Sequence, residues 1–198
     1  MSEDPLVRPT RLYVAPGFLD PATCLAVQAA MDRGTAEPAE VFDSGARLDL
    51  DARRAASIDV DAATLETVEA ALDSARAAIA AHYRLPLVGR EGPGFLRYGP
   101  GGFYRRHRDR AADPSWPGAA ERLVSLVVFL NSSHTRPAAG AFSGGELRIL
   151  PDAEGAQGSE TIAIAPCRGL LVAFRASELH EVRPVTAGIR DVIVDWYY

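Results

Sequence analysis

The chain has little sulfur, no long apolar run and no excess of positive charge. Its two cysteines, Cys24 and Cys167, lie far apart in 198 residues with no CxxC spacing, so neither a disulfide framework nor a zinc ribbon is encoded. Both are expected to be small buried hydrophobes in a reducing compartment. No apolar stretch approaches the ~18 residues that a membrane-crossing helix needs. The opening MSEDPLVRPT is polar and acidic, not basic and then apolar, so no secretory leader is read there and a soluble, cytoplasmic protein is expected. Lys and Arg number 21 against 26 Asp and Glu, a net charge of −5; a general nucleic-acid binder would carry the opposite sign. The glycine clusters GPGG (99–102) and SGG (143–145) lack a G-x-x-x-x-G-K-[ST] context and read as turns, not phosphate cradles. Neither an internal repeat nor a low-complexity tract is present.

What remains is an ordinary globular composition, long enough to bury a core in one domain spanning 1–198. Leu12 to Val14 reads as a short strand ahead of a Pro-Gly turn. Asp20-Pro21 then gives an N-cap and a proline at the first helical position, opening a helix with apolar Leu25, Val27 and Met31 that stops at Gly34. Residues 35–61 are polar and irregular, a short strand or a mobile loop. The clearest helix follows, with Leu65, Val68, Leu72, Ala75 and Ile79 in one apolar stripe and Asp61 or Thr64 as its cap. From Phe95 onward the period changes to that of short strands: GFLRYG, GFYRRHRD, RLVSLVVFLN, GELRILP, ETIAIAP, GLLVAFRA, HEVRPV and RDVIVDWYY. The expected class is α+β, a jelly-roll core at 95–198 supported by the helices of 1–94 packed on one sheet.

The stretch YRRHRDR (104–110) holds four arginines around one histidine and one aspartate. Along a strand, residues two apart share a face, so His107 and Asp109 project together while Arg106 and Arg108 turn away. Two side chains hold a catalytic metal poorly. A second histidine would complete the two-His-one-carboxylate set of non-haem Fe(II) oxygenases, which leaves coordination positions open. Of the remaining histidines, His82 lies on the amphipathic helix and reads as surface. His180 opens a strand after an apolar run and is the first choice for third ligand; His134, in the loop NSSHTRPAAG, is the fallback. That fallback would make the chain a cupin-like metal protein.

Several motifs in order give the context. RYGPGGFYRRHRD, LVSLVVFLN, SGGELRILP and HEVRPVTAGIRDVIVDWYY resemble the successive site strands of the 2-oxoglutarate- and Fe(II)-dependent dioxygenases of the prolyl 4-hydroxylase type, with the glycine pair and closing segment most like the oxygen-sensing prolyl hydroxylases. YVAPGFLDPATCLAV is similar to the family's N-terminal strand and helix. The resemblance implies a double-stranded β-helix and Fe(II) held by His107, Asp109 and His180. It implies 2-oxoglutarate as cosubstrate, with ascorbate a further candidate cofactor. Arg190, ten residues after His180, is implied to pair with the far carboxylate of 2-oxoglutarate, as suits its planar fork. Tyr98 matches a tyrosine that hydrogen-bonds near the cosubstrate. Retention of the Asp109 carboxylate, which related halogenases lack, favours hydroxylation.

One departure concerns the far carboxylate. Close relatives carry a tyrosine where this chain has Phe129, so Arg190 needs another partner, with Ser125 or Thr161 as candidates. Substrate-side expectations are weaker in chemistry: Arg122 matches a substrate-side arginine, Trp196 the family's closing tryptophan, and Arg53 and Arg54 lie in DLDARRAASIDV, one of two loops expected to flank the mouth. The other is AADPSWPGAAER. The implied reaction is O2-dependent hydroxylation of a prolyl residue in a protein or peptide, with release of succinate and CO2. A free amino acid or small metabolite is the second substrate class, and a non-catalytic iron/2-oxoglutarate sensor is the rival from another functional class.

Overall fold

The computed structural model of the chain describes residues 11–42, 46–111, 117–134, 140–151 and 160–198. In chain order the first half runs β1 (Leu12–Ala15), α1 (Pro21–Arg33), β2 (Ala36–Pro38), β3 (Val41–Phe42), β4 (Ala46–Arg47), β5 (Arg53–Arg54), β6 (Ala56–Ile58) and α2 (Ala62–Tyr83). Then come β7 (Gly94–Tyr98), β8 (Phe103–His107), α3 (Pro117–Glu121), β9 (Val124–Phe129), β10 (Ser143–Gly144) and β11 (Leu147–Ile149). The chain closes with β12 (Ile162–Ile164), β13 (Leu171–Arg175), β14 (His180–Val182), β15 (Val185–Ala187) and β16 (Arg190–Tyr197). Each of the eight expected runs after Phe95 contains a strand. HEVRPV is split in two at Arg183-Pro184, where proline cannot donate to a ladder.

Two antiparallel sheets carry the fold. The larger has the order β1-β13-β9-β16-β7-β6-β2 and the smaller β12-β11-β14-β8-β5; two further two-stranded pairs are β10-β15 and β3-β4. The segment expected to be irregular at 35–61 therefore supplies edge strands to both sheets: β2 and β6 extend the larger, and β5 extends the smaller by pairing Arg53 with Tyr104. The N-terminal part is thus strand as well as helix. Its short, polar strands gave no period because each is only two or three residues long.

The larger sheet is apolar on both faces, and its alternation sorts residues into two clusters. Val124, Leu126 and Val128 of β9, Leu171 and Ala173 of β13, and Ile193 and Tyr197 of β16 pack with Val27, Met31, Val68, Leu72 and Ile79 of the two long helices. Val127, Phe129, Val172, Phe174 and Val192 pack instead with Leu147, Ile149 and Val182 of the smaller sheet. Asp20 caps α1, accepting from the Ala22 and Thr23 amides at 2.8 and 3.0 Å, and Asp61 caps α2, accepting from the Thr64 amide at 2.9 Å. Leu25 departs from the expected apolar face: it is 52% exposed, and Cys24 and Ala30 are buried in its stead. The cysteines differ from each other, with Cys24 buried and Cys167 exposed.

The outer face of β16 is tied to the helices by charge. Asp191 accepts two bonds from Arg97, at 2.7 and 3.1 Å, and one from Gln28 of α1 at 2.9 Å. Asp195 accepts from the Gly92 amide at 2.9 Å and pairs with Arg90, which also reaches Glu69 and Asp73 of α2. Both carboxylates are buried, so each needs those partners. Among the described residues no helix is long and apolar enough to cross a membrane.

Candidate metal centre and cleft

His107 is the last residue of β8, and His180 is the first of β14; the two strands are neighbours, and these residues stand directly opposite each other. Their ring centroids lie 4.0 Å apart. Asp109 lies beyond the end of β8, where its own amide and that of Arg110 both donate to the Ala176 carbonyl, at 3.0 and 2.9 Å. This curl returns the Asp109 carboxylate to the histidines: Oδ1 is 3.4 Å from His107 Nε2 and Oδ2 is 3.5 Å from His180 Nε2. The three ligand atoms lie within 4.8 Å of one another.

The second nitrogen of each imidazole is already in use. His107 Nδ1 is 2.7 Å from the Arg105 carbonyl and His180 Nδ1 is 2.9 Å from the Glu178 carbonyl. A carbonyl only accepts, so Nδ1 carries the proton in both rings and the Nε2 lone pairs face inward. Burial, followed by the neighbouring His107, lowers the His180 pKa to about 4, which keeps the imidazole neutral as a donor. Burial disfavours the charged form of Asp109, but His180 and His107, with a bond from Ser125, outweigh it and hold the carboxyl well below its usual range. Ser125 Oγ donates to Asp109 Oδ2 at 2.6 Å. A lone hydroxyl in the fully buried strand VSLVVF must find a partner; that signal is present in the sequence, but it does not say which partner.

Arg190 is 1% exposed. Its guanidinium carbon lies 4.9 Å from the centre of the Tyr98 ring and 5.2 Å from that of Phe129. Nε and Nη1 have no hydrogen-bond partner among the described residues. Burial, only partly offset by Tyr98 and Asp191, pushes its pKa down to about 10. The expected partners do not serve it: Ser125 is bonded to Asp109, and Thr161 is exposed at the far edge of the smaller sheet. Gly145, at φ +65°, makes room for the arginine, since a Cβ there would meet Arg190 Cδ at 2.9 Å.

Both groups open into one cleft, lined also by Arg53, Tyr104, Arg108, Arg122 and Trp196. Tyr104 stacks on His107 with centroids 3.5 Å apart. Arg122 is not a free substrate-side cation: it forks onto Glu91 at 2.6 and 2.7 Å, donates to the Asp109 carbonyl at 3.2 Å and lies 3.8 Å over Trp196. Arg108 does not turn away as expected, because strand alternation ends at His107; it lines the cleft and donates to the Ser177 carbonyl. Arg106 lies 3.8 Å from Glu181, and Arg54 over the Phe103 ring. His134 is outside the metal-binding group found among the described residues, its amide bonded to the Phe142 carbonyl. His82 is half-buried, edge-on to Tyr13 and Tyr83, and not the surface residue expected. The mouth loop AADPSWPGAAER lies partly outside the described residues, at 112–116, and most of its remainder forms α3.

Two imidazole nitrogens and one carboxylate oxygen are a donor set suited to Fe(II), and the two unsatisfied Arg190 nitrogens in the same cleft suit a carboxylate; the residues fit an iron/2-oxoglutarate pair. Among solved structures, a Pseudomonas putida prolyl-4-hydroxylase is 27% identical and covers 94% of this chain and 91% of its own, with a TM-score of 0.71. A Trichoplax adhaerens prolyl hydroxylase, solved with a peptide fragment of hypoxia inducible factor, shares the fold at 21% identity, with a TM-score of 0.68 over 95% of this chain and 83% of its own. A PKHD-type hydroxylase of Picosynechococcus is 35% identical over 102 residues, 52% of this chain and 39% of its own length. A Stenotrophomonas maltophilia PKHD-type hydroxylase is likewise 35% identical, over 52% of this chain and 41% of its own. The chain thus spans about two fifths of the length of these curated relatives. The stretch from Pro93 to Tyr198, which contains His107, Asp109, His180 and Arg190, matches the sequence family described as the 2OG-Fe(II) oxygenase superfamily, and the chain belongs to it.

Proposed function

We propose that the protein catalyses 2-oxoglutarate- and O2-dependent hydroxylation of a prolyl ring in a protein or peptide, with release of succinate and CO2. The observation that carries this reading is the pairing, in one cleft, of a His107–Asp109–His180 cluster with a buried guanidinium two of whose nitrogens have no hydrogen-bond partner among the described residues. A cation left in that state costs free energy unless a ligand anion completes it. Prolyl hydroxylases among the structural neighbours, one of them peptide-bound, support the substrate class.

When bound, Fe(II) with 2-oxoglutarate supplies the oxidative chemistry. His107, Asp109 and His180 hold the metal, and the Arg105 and Glu178 carbonyls fix the two imidazoles in their donor tautomer. Ser125 orients the Asp109 carboxylate. Arg190, with Tyr98 beside it, binds the far carboxylate of 2-oxoglutarate. Val192, Val194, Leu147 and Val182 line the cleft with apolar surface and keep water out. Trp196 and Arg122 form a stacked wall at the substrate side.

Mixing the protein anaerobically with Fe(II) and 2-oxoglutarate tests the assignment. The charge-transfer absorption band of a chelated iron should appear in the wild type and be lost in His107→Ala. A wild type without the band, or a variant that keeps it, overturns the reading. Under air, prolyl peptides should gain ~16 Da, the mass of one oxygen atom.

A further inference from the structure

Four buried side-chain polar atoms lack a hydrogen-bond partner among the described residues: Arg190 Nε and Nη1, Arg53 Nε and Trp196 Nε1. All four are N–H donors, and all three residues line the same cleft. A cleft whose every unsatisfied group donates is shaped for ligands rich in acceptors. The Arg190 atoms are accounted for by 2-oxoglutarate. Arg53 Nε and Trp196 Nε1 are not.

Arg53 is 8% exposed, an unusual position for an arginine without a carboxylate. Nη1 donates to the neutral Glu40 carbonyl at 2.7 Å, and the guanidinium carbon lies 4.7 Å over the Tyr104 ring. Tyr104 stacks in turn on His107, so the guanidinium is one aromatic ring away from the metal cluster. No carboxylate among the described residues pairs with it. Charge bookkeeping for the loaded cleft points the same way. Fe(II) and Arg190 together offset Asp109 and the two charges of 2-oxoglutarate, and Arg122 is offset by Glu91. Of the other two arginines in the lining, Arg108 donates to the Ser177 carbonyl, and Arg53 has no carboxylate partner among the described residues.

We infer that the substrate carries a carboxylate and that Arg53 is its docking residue, a specificity determinant for the proposed hydroxylation. This rests on the reading of the cleft as an iron/2-oxoglutarate site. The shared chemistry has three sources: the carboxylate of a free imino acid, the C-terminal carboxylate of a prolyl peptide, or an acidic side chain flanking the prolyl residue. In each case the anion anchors over Tyr104 and presents the ring to the metal. A neutral internal prolyl segment leaves Arg53 unpaired and binds poorly.

The test uses the full chain, loaded anaerobically with Fe(II) and 2-oxoglutarate, and acid/amide probe pairs: L-proline against L-prolinamide, glycyl-L-proline against its C-terminal amide, and an end-blocked Asp-Pro-Gly peptide against Asn-Pro-Gly. Binding is read by calorimetry. At least one acid should bind about tenfold or more tighter than its amide, as expected for a charge-assisted bond; the pair that shows it identifies the source. Arg53→Gln should bring that ratio close to one and leave the 2-oxoglutarate affinity unchanged. Arg53→Lys should keep part of the preference, which separates lost charge from misfolding. Equal affinity within every pair, absence of binding by all three acids, or a ratio unmoved in Arg53→Gln overturns the inference. If the charge-transfer band forms and the ratios are flat, only the carboxylate inference fails; if the band never forms, the iron/2-oxoglutarate reading has failed first.

Discussion

Arg190→Met should stabilise the ligand-free protein while nearly abolishing cosubstrate binding. Burial lowers the guanidinium pKa from 12.5 to about 10. At 1.36 kcal/mol per unit, holding it charged in the fold costs on the order of 3 kcal/mol. Methionine has comparable length and no polar atoms, and it fits between the Tyr98 and Phe129 rings. It forfeits two cation–π contacts, about 1–2 kcal/mol together. The expected net gain is therefore about 1–2 kcal/mol, or roughly 2–8 °C in Tm for a chain of this size. Binding moves the other way. Removing one partner of a buried, hydrogen-bonded charge pair costs about 3–5 kcal/mol, which corresponds to 10²–10³-fold or more in Kd for 2-oxoglutarate. Thermal unfolding with and without 2-oxoglutarate checks both at once: the variant should start higher and stop responding to the ligand. Arg190→Lys keeps a charge without the fork and should fall between the two. A variant that loses stability without ligand and still binds 2-oxoglutarate like the wild type would show that the guanidinium is a structural element, and the reasoning about the cleft would fail with it.

The remaining expectations are narrower. Ser125→Ala removes the 2.6 Å bond to Asp109 and should weaken metal binding about 10–100-fold, measured with Mn(II) or Co(II) as a stand-in; unchanged affinity would mean that the histidines alone position the carboxylate. Gly145→Ala places a Cβ 2.9 Å from Arg190 Cδ at a positive φ and should lower both stability and 2-oxoglutarate affinity, leaving Mn(II) binding intact. Acid should loosen the helix caps. Hydrogen bonds from Thr23 lower the pKa of Asp20, and those from Thr64 lower that of Asp61, so each helps folding above its unfolded pKa and loses that contribution as pH falls through the lower folded value. Asparagine caps as well but does not titrate. Asp20→Asn/Asp61→Asn should therefore lose less stability than the wild type between neutral pH and about pH 3, followed by circular dichroism.

The parts of the molecule that could be read in advance are those where one local rule acts alone. The helix α2 stripe from Leu65 to Ile79 and the caps at Asp20 and Asp61 follow from period and capping chemistry. His107, Asp109 and His180 converge as their motif context indicates. The failures fall where tertiary contacts override the local rule. Alternation along YRRHRDR predicts Arg108 facing away, yet the ladder ends at His107 and the Ala176 carbonyl curls the chain. Residues 35–61 show no period because strands of two or three residues draw their order from the partners they pair with, such as Tyr104 opposite Arg53. The Glu91 partner of Arg122 and the Asp109 partner of Ser125 are 31 and 16 residues away, respectively, and no spacing rule reaches them.

The sequence RDVIVDWYY also governs how the chain finds its register. Arg190, Val192, Val194 and Trp196 line the cleft, while the buried Asp191 and Asp195 bond with Arg97 and Arg90 on the opposite face of the sheet. A slip of a single residue would swap the faces, carrying two carboxylates into the cleft that holds Asp109 and taking them away from Arg97 and Arg90. Both changes leave buried charges without their partners. The strand that carries Arg190 into the cleft is thus held to one register by charge pairing as well as by its apolar pattern.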